Sequence, residues 1–387
     1  MRKIYFDSAA TSQMRNEVIE AMTASMKSIY GNPSSTHAFG REAKSKVEAC
    51  RKDIAKQLNV SPGEIIFTSG GTEADNMVLK CAVKDLGVER IITSKIEHHA
   101  VLHTVQSLQE CSNINIEYVN LLEQGQVDLE HLENLLANTT EKTMVSLMHI
   151  NNEIGNKLDL KKVSELCTTH NALLHSDTVQ SVGHFEMDLQ ECPVDFLAVS
   201  AHKFHGPKGV GFAYVNKKHK MASMIEGGLQ ERGHRAGTEN VPGIVGLHTA
   251  FNMAYEYLDN EREYIKNLKR YFIQTLEENI EGVVFNGLSK DLEKSTYTVI
   301  NVSLPISEAK AGLLLFQLDL KGIACSQGSA CQSGSQQGSF VLNEIYGPEK
   351  IKTPSLRFSL SHYNTKQEID YTVKVLSAFV GSEKVVI

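Results

Sequence analysis

Short apolar runs alternate along this chain with stretches in which apolar residues return every three or four positions, the pattern of strands and helices laid down in turn. Residues 16–29 predict an amphipathic helix, 30–37 a loop dense in turn formers, and about 40–58 a second helix. The run 64–68 predicts a strand, Ser69-Gly70-Gly71 a tight turn, and the residues from Thr72 a helix whose stripe includes Ala74, Met77, Val78, Cys81 and Ala82. Further strands are expected at 90–93, 116–119, 143–148, 172–175, 195–200 and 210–215, with helices after Glu97, from Asp128 and over 159–170. Such alternation predicts an α/β fold, a mostly parallel sheet wrapped by helices, with polar groups gathered at the carboxyl ends of its strands. A glycine-rich passage, 226–240, interrupts the pattern, and 251–280 reads as one long charged helix connecting two lobes. The remaining stretch, with strands at 296–304, 322–325 and 355–360 and helices from Glu308 and Thr365, predicts a smaller α+β unit. The expected division is 15–250 for a large domain, and 1–14 with 251–387 for a small one.

Composition narrows the class of protein. Hydrophobic residues make up 41% of the 387 positions and charged residues 22%, the balance of a folded soluble chain. The net charge of -7 is scattered, with no basic block to suggest direct nucleic-acid binding. No apolar run is long enough to span a bilayer, and Met1-Arg2-Lys3-Ile4-Tyr5-Phe6-Asp7 lacks the apolar core of a signal peptide, so the cytoplasm is the expected compartment. Seven cysteines without a CxxC pair or zinc spacing suit free thiols in a reducing environment. Cys81 lies on a helical stripe and reads as a core residue, and Cys325 follows an apolar strand and reads as packed.

Candidate chemistry sits where strands end. Lys203, in Ser200-Ala201-His202-Lys203, follows an apolar strand and is closed off by Gly206-Pro207, which holds an amine that could form a Schiff base with an aldehyde. Gly70-Gly71-Thr72 joins a strand to a helix start, where open amides favour a phosphate; an ordinary capped turn would look the same. His98, Asn152 and the pair Asp177 and Gln180 follow three other strands, although Asp177 alone could be a helix cap. Arg357 could be a solvated strand residue, and Cys331 an incidental thiol. Around Cys331, however, Ser326-Gln327-Gly328-Ser329-Ala330 and Gln332-Ser333-Gly334-Ser335 are too small and polar to pack a core, so a mobile loop is expected, from which a thiolate has reach. An anion cradle, a carboxylate, a lysine and a histidine on separate strand ends together suit pyridoxal phosphate.

From Tyr5-Phe6-Asp7-Ser8-Ala9-Ala10-Thr11 to the last helix, the sequence resembles the fold-type-I pyridoxal-phosphate enzymes of the class V aminotransferase group, and specifically the cysteine desulfurases. The resemblance implies a large domain with a mostly parallel seven-stranded sheet, a smaller α+β domain carrying the cysteine loop, and a homodimer. In it Lys203 would carry the cofactor, pyridoxal 5'-phosphate, as a Schiff base; Asp177 would pair with the pyridine nitrogen and Gln180 bond the phenolic oxygen. Gly71, Thr72, Ser200 and His202 would hold the phosphate, with Thr238 reaching it from the neighbouring subunit. His98 would stack on the ring and assist proton transfer, and Asn152 and Arg357 would bind the substrate carboxylate. Gly328-Ser329-Ala330-Cys331 resembles the loop of the group with a long cysteine loop, so Cys331 would take sulfur from L-cysteine as a persulfide, leaving L-alanine. Acceptor proteins, either an iron-sulfur scaffold or a relay for transfer-RNA thiolation, would receive it.

Two departures bear on the acceptor. Gln332-Ser333-Gly334-Ser335-Gln336-Gln337 differs from the usual housekeeping sequence after the cysteine, and 382–387 ends without the longer tail with which those members dock the scaffold. Within the same fold, a selenocysteine lyase or a small-amino-acid aminotransferase could use Lys203 and Asp177 alike, but the aminotransferase has no need of Cys331. A sulfur-relay or assembly partner, active only in complex, is the alternative from another class.

Overall fold

Seven strands form the central sheet in the order Ile65–Thr68, Gly211–Val215, Phe196–Ser200, Leu173–Asp177, Thr143–Ser146, Arg90–Thr93 and Asn115–Tyr118. Gly211–Val215 runs antiparallel to both neighbours and every other pairing is parallel. The computed structural model describes residues 3–328, 339–347 and 354–381. Strands with helices on both faces must be apolar on both. Phe196–Ser200 shows the division: Leu197 and Val199 join one apolar cluster with Ile54, Phe67 and Phe251, while Phe196 and Ala198 join the opposite one with Ala74, Val78 and Val101. The two-residue side-chain period of a strand thus splits the core into two layers.

A third cluster belongs to a three-stranded antiparallel sheet ordered Ser355–Ser359, Val299–Ser303, Val284–Phe285, with Phe272, Phe358 and Leu376 at its centre. Ile4 and Phe6 are buried in this cluster, and Ile4–Tyr5 pairs in parallel with Ile323–Ala324. From there residues 8–13 run across to the Lys203 turn, where Ser12 N–H donates to the His202 carbonyl at 2.8 Å.

The single helix expected over 251–280 is two helices. Val241–Glu256 and Leu258–Asn279 meet at Tyr257, which leaves helical geometry for φ -101°, ψ 7°. The reason lies in what each buries: Phe251 and Ala254 face the first cluster, and Ile265, Leu268 and Phe272 face the third. One straight rod could not turn its apolar stripe toward both. Asp259 and Glu261, in the first turn of the second helix, complement its dipole.

Candidate active site

The turn after Phe196–Ser200 holds Lys203. Residues Ala201–Lys203 form a single 3-10 turn, and His205 then adopts φ 67°, a left-handed conformation that few side chains tolerate. Two bonds to the N-terminal segment fix it there: His205 N–H donates to Ser12 Oγ at 2.7 Å, and its Nδ1 lies 2.7 Å from the Gln13 carbonyl. Lys203 Nζ donates to the carbonyls of Ala9, at 2.6 Å, and Ala10, at 3.0 Å. Gln180 Nε2 donates to the same Ala9 carbonyl at 2.9 Å, which brings two sequence-predicted residues to one point. His184 Nε2 lies 3.1 Å from the Lys203 carbonyl and supports the turn from behind. His202 Nδ1 sits 3.1 Å from Thr11 Oγ1; burial, with the Lys203 and Lys208 charges, pulls its pKa down to about 4, so it is neutral near pH 7.

Asp177 ends the strand beside the one that leads to Lys203, with its Oδ1 accepting the Val179 N–H at 2.9 Å. Burial raises the pKa of this carboxyl, while His98 and Lys203 act in the opposite direction through their charge. His98 caps the helix His99–Ser112, its Nδ1 accepting the Ala100 N–H at 3.1 Å, so the neutral ring carries its proton on Nε2. Burial and the nearby Lys203 and His103 hold its pKa below the ordinary histidine value, against the pull of Asp177. Asp177, His98 and Lys203 therefore sense one another's charge, as strand-end reasoning predicted.

The cradle is built on glycine. Gly70 has φ 150° and Gly71 opens the helix Gly71–Leu86; a Cβ on Gly71 would stand 2.5 Å from Val179 Cγ2. Ser200 is buried at the edge of this turn, with its Oγ 3.5 Å from where a Gly70 Cβ would lie. Thr72 is exposed at the helix start. Thr238 is exposed in a loop that Arg235 ties to the same helix through a fork onto Glu73, with contacts of 2.7 and 3.2 Å.

Arg357 is 1% exposed, on the central strand pairing of the smaller sheet. Its Nη1 donates to the Asn152 carbonyl at 2.8 Å and its Nη2 to Asp7 Oδ1 at 2.9 Å, while Nε has no partner among the described residues. Ser326 Oγ donates to the same Asp7 oxygen at 2.7 Å. Asp7 was not singled out in the sequence, where only its place in the shared N-terminal motif marked it. Neither were Asp75, Glu97 and His175, all buried near Asp177. Their signal was weak but present: a carboxylate on the apolar stripe between Ala74 and Met77, and a histidine inside an apolar strand. Cys331 and most of its loop lie outside the described residues. Of the other thiols, burial pushes Cys50 and Cys81 up to about 11 and raises Cys167, Cys192 and Cys325, which suits packing rather than attack.

A buried carboxylate flanked by a lysine and a histidine, beside a glycine cradle at a helix N-terminus, is the donor set for a pyridinium aldehyde bearing a phosphate. The family model for class-V aminotransferases matches residues 4–372, and the chain belongs to that family. Within it, the chain is 41% identical over 381 residues to the cysteine desulfurase IscS of Dictyoglomus turgidum, covering 98% of this chain and 95% of the relative. It is 38% identical to the cysteine desulfurase IscS of Methanosarcina thermophila, covering 98% of this chain and 92% of that one. Among solved structures, a NifS-like protein superposes with a TM-score of 0.89 at 35% identity, over 98% of this chain and 100% of the other. SspA in complex with cysteine superposes with a TM-score of 0.80 at 28% identity, over 94% and 100%.

Proposed function

We infer that the protein is a cysteine desulfurase that uses pyridoxal 5'-phosphate to move sulfur from L-cysteine to the thiol of Cys331, releasing L-alanine. The observation that carries this reading is the convergence of Lys203, Asp177 and His98 at neighbouring strand ends beside the Gly70-Gly71 cradle. Full-length similarity to cysteine desulfurases supports it. The residues fit the cofactor: Asp177 for the ring nitrogen, Gln180 for the phenolic oxygen, Gly71, Thr72, Ser200 and His202 for the phosphate, and Lys203 for the aldehyde. When bound, pyridoxal 5'-phosphate supplies an electron sink at the substrate α-carbon. His98 stacks on the ring and holds a proton at Nε2. Asn152 and Arg357 orient the substrate carboxylate, Arg357 through its planar fork.

The overall transfer balances. The Cys331 thiolate forms an S–S bond with the substrate sulfur, the C–S bond breaks with its electron pair left on carbon, and a proton completes the methyl group of alanine. The persulfide then passes to an acceptor protein, either an iron-sulfur scaffold or a thiolation relay. We take residues 15–250 as the cofactor-binding domain, and 1–14 with 251–387 as the domain that brings Arg357 and Cys331. We take the working form as a cytoplasmic homodimer in which Thr238 serves the neighbouring subunit's phosphate; no helix among the described residues is long and apolar enough to cross a membrane.

The test is a pair of variants. Cys331→Ser should keep the cofactor's absorbance and lose persulfide formation and sulfide release from L-cysteine, and wild-type sulfide release would sink the assignment. Lys203→Ala should lose the lysine-bound absorbance, and an unchanged spectrum would reject that role. Pyruvate without sulfane sulfur would point to an aminotransferase.

A further inference from the structure

Asp75, Glu97 and Asp177 form a buried carboxyl cluster, at 1%, 1% and 5% exposure, and the proposed reaction uses only Asp177. Burial raises the pKa of all three, and the charge of Asp177 pushes the other two higher still. The positive groups are unequally shared, since His98 and Lys203 act on Asp177 while only carboxylates act on Asp75. Carboxyls this close, with water excluded, cannot all ionise. Asp177 has the cations and takes the charge.

The neighbour of Asp75 determines where its proton points. Asp75 Oδ1 lies 3.4 Å from His175 Nε2, and neither atom has a hydrogen-bond partner elsewhere among the described residues. His175 is buried and neutral, with burial lowering its pKa to about 3, and its Nδ1 lies 2.8 Å from Ser146 Oγ. The only arrangement that satisfies a neutral acid and a neutral ring runs in one direction: the Asp75 hydroxyl donates to Nε2, and Nδ1–H donates to Ser146 Oγ.

This contact also joins the two halves of the cofactor site. Asp75 stands one helical turn after Gly71, so it is fixed to the cradle; His175 stands two residues before Asp177 on the same strand, and both side chains leave the same face. We propose that Asp75, carrying its own proton in a buried hydrogen bond to His175, is a positioning residue that confines the charge of the cluster to Asp177 and sets the cradle against the Asp177 strand. The idea rests on the proposed cofactor site.

Two measurements test it. The infrared spectrum of the cofactor-free protein at neutral pH should contain a protonated-carboxyl band that Asp75→Asn removes; its absence, or its persistence in the variant, overturns the proposal. For pyridoxal 5'-phosphate, Asp75→Asn should hold Kd and the pH profile of the bound absorbance within about threefold and close to wild type, because the amide is neutral and still donates to Nε2. Asp75→Leu, of similar bulk but unable to donate, should raise Kd by about tenfold and shift that profile. Equal behaviour of the two variants overturns the proposal, since a packing role would not tell them apart. If Asp75→Leu does not fold, the infrared comparison decides. If the wild type fails to bind pyridoxal 5'-phosphate, the proposed function falls while the infrared test of Asp75 still stands.

Discussion

Arg357 and Asp7 meet at 2.9 Å although 350 positions separate them, and the Asp7 oxygen that holds the guanidinium also holds the hydroxyl of Ser326. The arginine proposed for the substrate carboxylate is thus anchored by the N-terminal segment, and the same anchor holds the start of the stretch that leads to Cys331.

Replacing Arg357 by lysine should raise KM for L-cysteine by about tenfold or more and lower kcat less, because a point charge cannot reproduce a bidentate fork. Steady-state kinetics check this, and an unchanged KM would remove Arg357 from the carboxylate site. Asp7→Asn leaves a buried cation short of its counter-charge and should cost on the order of 3 kcal/mol in unfolding of the cofactor-free protein.

His98 has its pKa held below the usual histidine value, first by burial, so it is neutral at neutral pH and gains a proton only in acid. Protonation would compete with its cap on Ala100 and place a second positive charge near Lys203. Initial rates on folded enzyme should therefore show an acid limb with a midpoint below about 6.5. His98→Asn can keep the cap; it should lower kcat by about a hundredfold or more and lose that limb. A limb of the same midpoint in the variant assigns it elsewhere.

His205 offers a test of stability against pH. Burial, then His362 and the other nearby cations, lowers its pKa from 6.5 to about 3. On acidification the unfolded chain takes up this proton first, so the contribution is whole above pH 6.5 and lost progressively as the pH falls toward 3. The slope is about 1.4 kcal/mol per pH unit for this one group. His205→Asn tolerates the left-handed backbone and should make the urea-unfolding free energy of the cofactor-free protein less steep between about pH 4 and 6. Parallel pH curves for the two proteins would contradict the assignment.

Gly71→Ala should weaken the cradle, because the new methyl group would lie 2.5 Å from Val179 Cγ2. A loss of about 1–3 kcal/mol in stability and a lower affinity for the cofactor are expected. Adding Val179→Ala should restore part of both, as a double-mutant cycle with thermal unfolding and cofactor titration would measure. No recovery in the double variant would mean that the clash lies elsewhere.

Legibility in the sequence followed the range of the interactions. Lys203, Asp177, His98 and Gly71 each stand at the end of an apolar strand, and a strand end is a local pattern. The alternation that placed them also predicted the large sheet, except that nothing local marks Gly211–Val215 as antiparallel. Contacts made between distant segments left no such mark. Asp7 on Arg357 and Asp75 on His175 join segments that share no spacing, and their residue types suit a surface as well as a core. The break at Tyr257 was hidden for a related reason: the charged stripe runs on through it, and only the direction of two different cores bends the chain. Thr238 is placed on its loop, but its proposed partner belongs to another subunit.

Gly211 carries a last consequence. A side chain there would strike the Val199 carbonyl at 2.2 Å and the Gly70 backbone at 2.8 Å, so the strand before the lysine, its antiparallel neighbour and the anion turn touch backbone to backbone. The span from amine to anion site is therefore metered by peptide thickness, and no rotamer change can lengthen it. Such a gauge passes one length of molecule and rejects its longer and shorter homologues, however well their ring and phosphate match.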